Sequence, residues 1–514
     1  MSRASRILTS ASLGYFQLAA SSLVGLWMSP FLLAHLGQKA FGLWAAGLPT
    51  LLYVGLLDFG VMGLLQREVA FLLGAAAAGE AAKTLNIGPQ VGKTVRLVLW
   101  QWPVLCVVAG LTWHMLPPTW APLRLPLLVV LAALATSFPL RTAHAILIGF
   151  QDLAFIGQLT FAFWILTTLI SVLMVLSGCG LYALACSWAF SQVVSSIICC
   201  IRVAVCFPLA IPRQLPQLSL IEARRILGQG LWVTIQQLAY TLLNGTDVLV
   251  VAGVLGPAAA TPYVMTDKLL TLSGNVPLQI VMSGQPALNE IRAAGDMARV
   301  SRVMNALSQA VLVTSGLVAT VVIAVDRGFV AWWVGTTQFA GLRVVVALAC
   351  AALLGHWVAA TGSGLFALGR ERLYAINLAA TGTVTLALAL WLTRSSGLLG
   401  APVASILGYS LIALPTNIIA LARATETPTF DALRAVASWA WRFALLVCAA
   451  VISSHVWKPA SLAAVVATAA GFTIAYAAIM MPVLTRGPLS TYVRPRVFAA
   501  RTLFTKRLKA YSGR

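Results

Sequence analysis

Arg141 and His144 stand three residues apart in an otherwise apolar stretch, with Ser137 one turn earlier and Pro139 between them. At helical spacing the three side chains share a face. A guanidinium offers a planar fork for phosphate oxygens, and an imidazole titrates near neutral pH, although a neutral hydrogen-bonded ring is the commoner state. Gln236, Tyr240, Asn244 and Asp247 follow one another at steps of four, four and three, again one face. Lys268, Thr271, Asn275 and Gln279 do the same at three, four and four. The two stripes are read as lining a lumen, and Asp247 and Lys268 are expected to pair at similar depth on this polar wall. Asp267, about 100° around the helix from Lys268, serves a different neighbour. Asp58 lies nine residues before the next charged side chain, Arg67, so it sits about 13 Å deeper at helical rise. It is read as a carboxylate that balances Arg141 or couples ions. Each cluster has a structural alternative, because polar side chains also join helix to helix inside a membrane.

The elements that must hold these residues are membrane spans. Apolar residues make up 60% of the chain and charged residues only 9%, with a mean hydropathy of +0.91. Soluble domains carry about a quarter charged residues. Windows of about 20 apolar residues divide the 514 residues into fourteen helices, the first at 11–35 and the last at 461–484. No cleavable signal is visible, and the first helix reads as an uncleaved span. With the N-terminus inside, only six of the 34 Lys and Arg fall in outside loops: Lys39, Arg124, Arg327, Arg343, Arg394 and Lys458. Both termini are therefore expected in the cytoplasm. The net charge of +21 reflects topology; the basic residues are dispersed over short loops and do not build a nucleic-acid surface. The tail, 485–514, holds eight basic and no acidic residues, with Phe498, Leu503, Phe504 and Leu508 among them, which suits either contact with anionic lipids or a solvated topology signal.

The chain also repeats itself. "HLGQKAFGLW" (35–44) and "VLGPAAATPY" (254–263) align Gly37 with Gly256 at an offset of 219. Gly149 with Gly369, and Gly180 with Gly400, give 220. Six helices per repeat is an even number, so both copies enter the membrane in the same direction, as in parallel-repeat transporters. The expected fold is all-α and polytopic: an N-lobe at 1–206, a cytoplasmic linker at 207–228, a C-lobe at 229–421, two appended helices at 422–484 and the basic tail. A cavity near mid-membrane between the lobes is expected.

Eight cysteines show no CxxC and read as small apolar residues, so no metal site and no cofactor are expected. No Walker loop, HExxH or GxSxG motif appears, which argues against an enzyme.

Two stretches carry a resemblance. "LAHLGQKAFGLWAAGLPTLLYVGLLDFGVMGLLQREVA" (33–70) and "TDVLVVAGVLGPAAATPYVMTDKLL" (246–270) resemble signatures of the Wzx-type O-antigen and exopolysaccharide flippases of the multidrug/oligosaccharidyl-lipid/polysaccharide (MOP) superfamily. The resemblance implies translocation of an undecaprenyl-pyrophosphate-linked oligosaccharide, a repeat unit of lipopolysaccharide or exopolysaccharide, across the bacterial inner membrane. Its implied partners are that lipid-linked substrate, membrane lipids and polysaccharide polymerase or assembly proteins, with a monomer as the working unit. A cation-coupled drug or metabolite antiporter of the same fold, with Asp58 and Asp247 as coupling sites, is the alternative. A non-transporting scaffold of a glycan-assembly complex is the third reading.

Overall fold

The computed structural model describes residues 3–77, 87–212, 214–293 and 296–491; the basic tail beyond 491 lies outside them. All regular structure among the described residues is helical, and several of the expected apolar stretches, such as those around Phe59, Pro139, Gly245 and Gly274, are broken into two helices. By length and hydropathy, ten of the helices among the described residues can cross a membrane, or eleven if one bent pair counts as a span. The protein is thus an all-α, multi-pass membrane protein. α6 (Leu153–Leu176) has the most apolar window, mean hydropathy 2.3, yet only 11% of that window is buried; Leu169, Leu173 and Leu176 stand exposed. In water such a face would be covered by protein, whereas lipid tails solvate it without penalty.

The chain divides into two compact units, Met1–Thr261 and Pro262–Arg514. In the first, α1 (Arg3–Gly55) is kinked at Gly37 (φ 79°) and ends in a 3-10 turn, Leu56–Asp58. Phe59 (φ 48°) and Gly60 (φ 70°) then reverse the backbone before α2 (Val61–Ala77) starts. α3 (Ile87–His114) and α4 (Ala121–Ser137) follow. Pro139 has no N–H to continue α4 and its ring blocks the preceding turn, so the helix restarts as α5 (Arg141–Gly149). α6 and α7 (Leu181–Cys206) complete this part. α8 (Leu220–Asn244) opens with a capping box, Ser219 with Glu222, and Glu222 also meets Lys93 at 2.8 Å. α9 (Thr246–Val254) continues it after a 51° bend at Gly245.

α10 (Pro257–Ser273) and α11 (Asn275–Ala293) are separated by a break at Gly274, with Pro277 in the first turn of α11. The second unit is built on α12 (Met297–Trp333), whose span window is 67% buried. Around it stand α13 (Leu342–Ala367), α14 (Glu371–Ser396), α15 (Gly400–Gly408) and α16 (Leu414–Thr425), with a π-helical turn, Tyr409–Ala413, between the last two. The appended pair, α17 (Thr429–Val456) and α18 (Leu462–Arg486), docks on α12. Leu312, Leu446, Met480 and Val483 pack there around Trp439 and Tyr476. The Tyr476 hydroxyl donates to the Val313 carbonyl (2.7 Å) and accepts the Trp439 indole N–H (3.3 Å).

The repeat is visible in local geometry, with two of the glycine pairings corrected. Gly369 (φ 72°) ends α13 with its N–H on the Phe366 carbonyl and the Arg370 N–H on Leu365. Gln151 (φ 59°) ends α5 with the same two bonds, to Ile148 and, through Asp152, to Leu147. This is a Schellman cap in both halves, so Gly369 corresponds to Gln151 and not to Gly149, which is helical. Likewise Gly180 (φ 56°, ψ −134°) matches Gly397 (φ 64°, ψ −141°) and not Gly400.

Candidate functional site

An open cavity of about 570 Å³ lies within the first unit, between α1, α2, α5, α6 and α7. Arg141 and His144 project into it from the first turn of α5, the face read from the sequence. The backbone N–H groups of 141, 142 and 143 already bond the carbonyls of 138, 139 and 140, so the Arg141 side chain is the anion-facing group at this helix end. It has no ion-pair partner within 4 Å among the described residues. His144 is exposed to the cavity.

The rest of the lining was not found by reading the sequence. α6 supplies Thr160, Thr167, Thr168 and Ser171; α7 supplies Ser191, Gln192, Ser195 and Ser196; α2 adds Gln66. Thr168 and Ser196 bond backbone carbonyls one turn back (2.8 and 2.7 Å), which leaves their oxygen lone pairs as acceptors. Ser171 meets Ser187 of α7 at 2.6 Å, and the Thr167 hydroxyl is buried without a partner. Phe163 and Trp164 furnish apolar surface beside these groups. No acidic side chain lines the cavity among the described residues.

Asp58 stands next to this cavity but does not line it. It is 7% exposed and caps the break between α1 and α2: its Oδ1 accepts the Gly60 N–H at 3.0 Å, and its carbonyl accepts Gln101 Nε2 at 3.3 Å. Arg141 acts on it through space, not through an ion pair within 4 Å. α8 crosses directly over the break, where a Cβ on Gly230 would fall 2.0 Å from the Phe59 carbonyl oxygen.

The stripes read on spans 7 and 8 are each cut by a break. Gln236 and Tyr240 sit on α8, half-buried and exposed, whereas Asp247 belongs to the first turn of α9 beyond Gly245. Asn244 ends α8. An acid in a first turn is favoured by the helix dipole, and Asp247 lies in electrostatic reach of Tyr53, which bonds Thr246 at 2.5 Å. In the second unit, Asp267 and Lys268 are half-buried on α10, and Thr271 donates to Asp267 Oδ2 at 2.6 Å. Asn275 and Gln279 follow on α11, both exposed. Asp247 and Lys268 fall in different units, and the charged group acting on Lys268 is its neighbour Asp267.

A buried amide network in the second unit also escaped the sequence reading. Asn377 Nδ2 donates to Asn417 Oδ1 (2.8 Å) and to the Ala413 carbonyl in the π turn (3.1 Å), and Asn417 Nδ2 donates to the Thr361 hydroxyl (3.0 Å).

Residues 127–324 match the family described as "Polysaccharide biosynthesis protein". The structure of the lipid II flippase MurJ in an inward closed conformation is 9% identical, with 93% of this chain and 100% of that one covered and a TM-score of 0.65. An inward-facing multidrug resistance MATE family transporter is 13% identical over 78% of this chain and 94% of its own, with a TM-score of 0.63. The chain has the MOP transporter fold. A MOP superfamily transporter from Pyrococcus furiosus agrees at 14% identity, 82% and 95% coverage and a TM-score of 0.53. No curated protein matches the sequence. These likenesses, to structures of transporters and a flippase, show the fold that the motifs at 33–70 and 246–270 led us to expect.

Proposed function

We propose that the protein is a secondary-type flippase that carries a polyprenyl-pyrophosphate-linked oligosaccharide, an O-antigen or exopolysaccharide repeat unit, across the bacterial inner membrane by alternating access. The observation that carries this reading is the Arg141 guanidinium, with no carboxylate within 4 Å among the described residues, facing a cavity lined by hydroxyls and amides and, among those residues, by no acid. A pyrophosphate supplies the anion that such a fork binds bidentately. Sugar hydroxyls match the Ser, Thr and Gln lining, and Trp164 offers a flat apolar face to a pyranose ring. Gln236 and Asn244 of the first unit and Lys268, Asn275 and Gln279 of the second are further polar groups proposed to meet the substrate, with Asp58, Asp247 and Asp267 balancing charge. Lobes at 1–206 and 229–421 with cytoplasmic termini, a monomeric working unit and contact with polymerase or assembly proteins complete the proposal. A cation antiporter requires acidic groups where the substrate binds, and the cavity offers a cation instead.

Reconstitution in proteoliposomes with a fluorescent polyprenyl-pyrophosphate glycan tests the reading. A charge-assisted hydrogen bond is worth about 1.5–3 kcal/mol, so Arg141→Ala should slow translocation by roughly 10- to 100-fold, with Arg141→Lys intermediate. Unchanged translocation in both Arg141→Ala and Lys268→Ala sinks the assignment.

A further inference from the structure

α17 turns one face to the rest of the second unit, where Val436, Trp439, Leu446 and Ala450 are buried. The opposite face carries Arg434, Ser438, Trp441, Leu445, Cys448 and Ile452, at alternating steps of four and three, and all six are exposed. The two halves of this stripe differ. The apolar span of the helix is Val436–Val456, so Arg434 stands just before it. Leu445, Cys448 and Ile452 lie well within it and offer apolar surface only.

Arg442 adds a second charge to the same half. Its backbone lies six residues inside the span, about 9 Å at helical rise. The side chain runs back toward the start of α17: Nη1 donates to the Ser438 carbonyl at 2.5 Å, and the guanidinium carbon stands 4.3 Å from the centroid of the Trp441 ring. Both contacts draw the charge over the stripe and toward the edge of the span. Among the described residues, neither Arg442 nor Arg434 has a carboxylate within 4 Å. A cation on the outward face of a span is costly unless it meets water, protein or a headgroup. Of the five N–H donors of Arg442, a protein acceptor takes one.

We propose that this stripe is a binding site for an anionic phospholipid of the leaflet at which α17 begins, the cytoplasmic one in the proposed topology. The lipid phosphate takes the free donors of Arg442 and the charge of Arg434, a planar fork meeting tetrahedral oxygens. One acyl chain runs along Leu445, Cys448 and Ile452. Trp441 is a positioning residue that holds the guanidinium over the stripe by a cation–π contact. A free anion would leave the apolar half of the stripe unused. A second copy of the chain enters the membrane in the same orientation, so pairing through this face would set the arginines of both copies at one depth, like charge against like. The site does not depend on the flippase reading.

Native mass spectrometry of the full-length protein, titrated in detergent with phosphatidylglycerol and separately with phosphatidylcholine, reads the tightest-bound lipid. The unaltered protein should prefer phosphatidylglycerol. Arg442→Gln, which keeps a donor for the Ser438 carbonyl, should weaken that binding by about tenfold or more and leave phosphatidylcholine unmoved. Trp441→Leu keeps both charges and should weaken it about two- to fivefold. Arg394→Gln, an exposed basic residue in the last turn of α14, should change nothing. Equal affinity for the two lipids overturns the site, as does phosphatidylglycerol binding that ignores Arg442→Gln. A loss of the same size in Arg394→Gln overturns it too, since the effect is then one of diffuse charge. Glycerol phosphate that displaces the lipid at equal concentration means a site for a free anion, and a dimer lost in Arg442→Gln means an interface between copies; either result refutes the proposal. If Arg442→Gln does not purify folded, Trp441→Leu is the deciding variant: weaker binding supports the site and unchanged binding overturns it.

Discussion

Gly230 and Gly228 sit two residues apart on α8, and the structure assigns their alanine variants opposite signs. A Cβ at Gly230 would meet the Phe59 carbonyl oxygen at 2.0 Å, where ordinary contacts begin at 3.4 Å. The clash is with backbone, so it cannot be relieved by rotating a side chain: α8 must withdraw by about 1.4 Å from the break that Asp58 caps. Overpacking of this kind costs about 1–3 kcal/mol, and more where both partners are backbone. Gly228 meets nothing within 4 Å and is exposed. Alanine there gains helix propensity, about 0.8–1 kcal/mol. The pair should therefore differ by about 2–4 kcal/mol, Gly228→Ala melting above the unaltered protein and Gly230→Ala well below it. Intrinsic fluorescence of the 16 tryptophans during a thermal ramp in detergent reads both. Equal melting temperatures for the two variants would refute the close approach of α8 to the α1–α2 break, and with it our account of why Asp58 is buried.

Four further variants test other contacts by the same assay. Gly369→Ala places a Cβ at φ 72° and 2.8 Å from Arg292 Nη2, and should cost about 1–2 kcal/mol. Gln151→Gly, at the equivalent left-handed cap, should gain up to about 1 kcal/mol, and a loss there would contradict the pairing of the two caps. Asn417→Ala removes partners of Asn377 and Thr361 in a buried network and should cost about 1–3 kcal/mol, with a neutral result meaning that water or slack absorbs the loss. Tyr476→Phe removes the acceptor of the Trp439 N–H and the side-chain bond to the Val313 carbonyl, so it should weaken the docking of α17 and α18 by a similar amount.

What the sequence carried plainly was hydrophobicity. Apolar windows fell on helix along the chain, but the stretch holding Ser137, Arg141 and His144 read as one helix, whereas the chain breaks at Pro139 and restarts as α5, which aims Arg141 and His144 into the cavity. Breaks made by glycine were not legible. Gly245 and Gly274 sit inside apolar runs whose polar residues keep helical spacing across them, so two stripes read as continuous faces although each spans two helices. Thr246 and Asn275, residues that favour helix starts, followed each glycine and were the available signal. The hydroxyls of α6 and α7 were hidden for another reason: a lone Ser or Thr in a span usually bonds its own backbone, and only convergence of two helices on one space gives the set a meaning. Asp326 was masked by its neighbour. Followed by Arg327, it read as the polar end of a span, whereas α12 runs on to Trp333 and takes the carboxylate into the protein. Both buried acids thus sit where the sequence pattern alone is ambiguous, and their environments separate them. Asp58 has a backbone donor in Gly60 and a guanidinium in reach, which tie it to a helix break. Asp326 has no hydrogen-bond donor among the described residues.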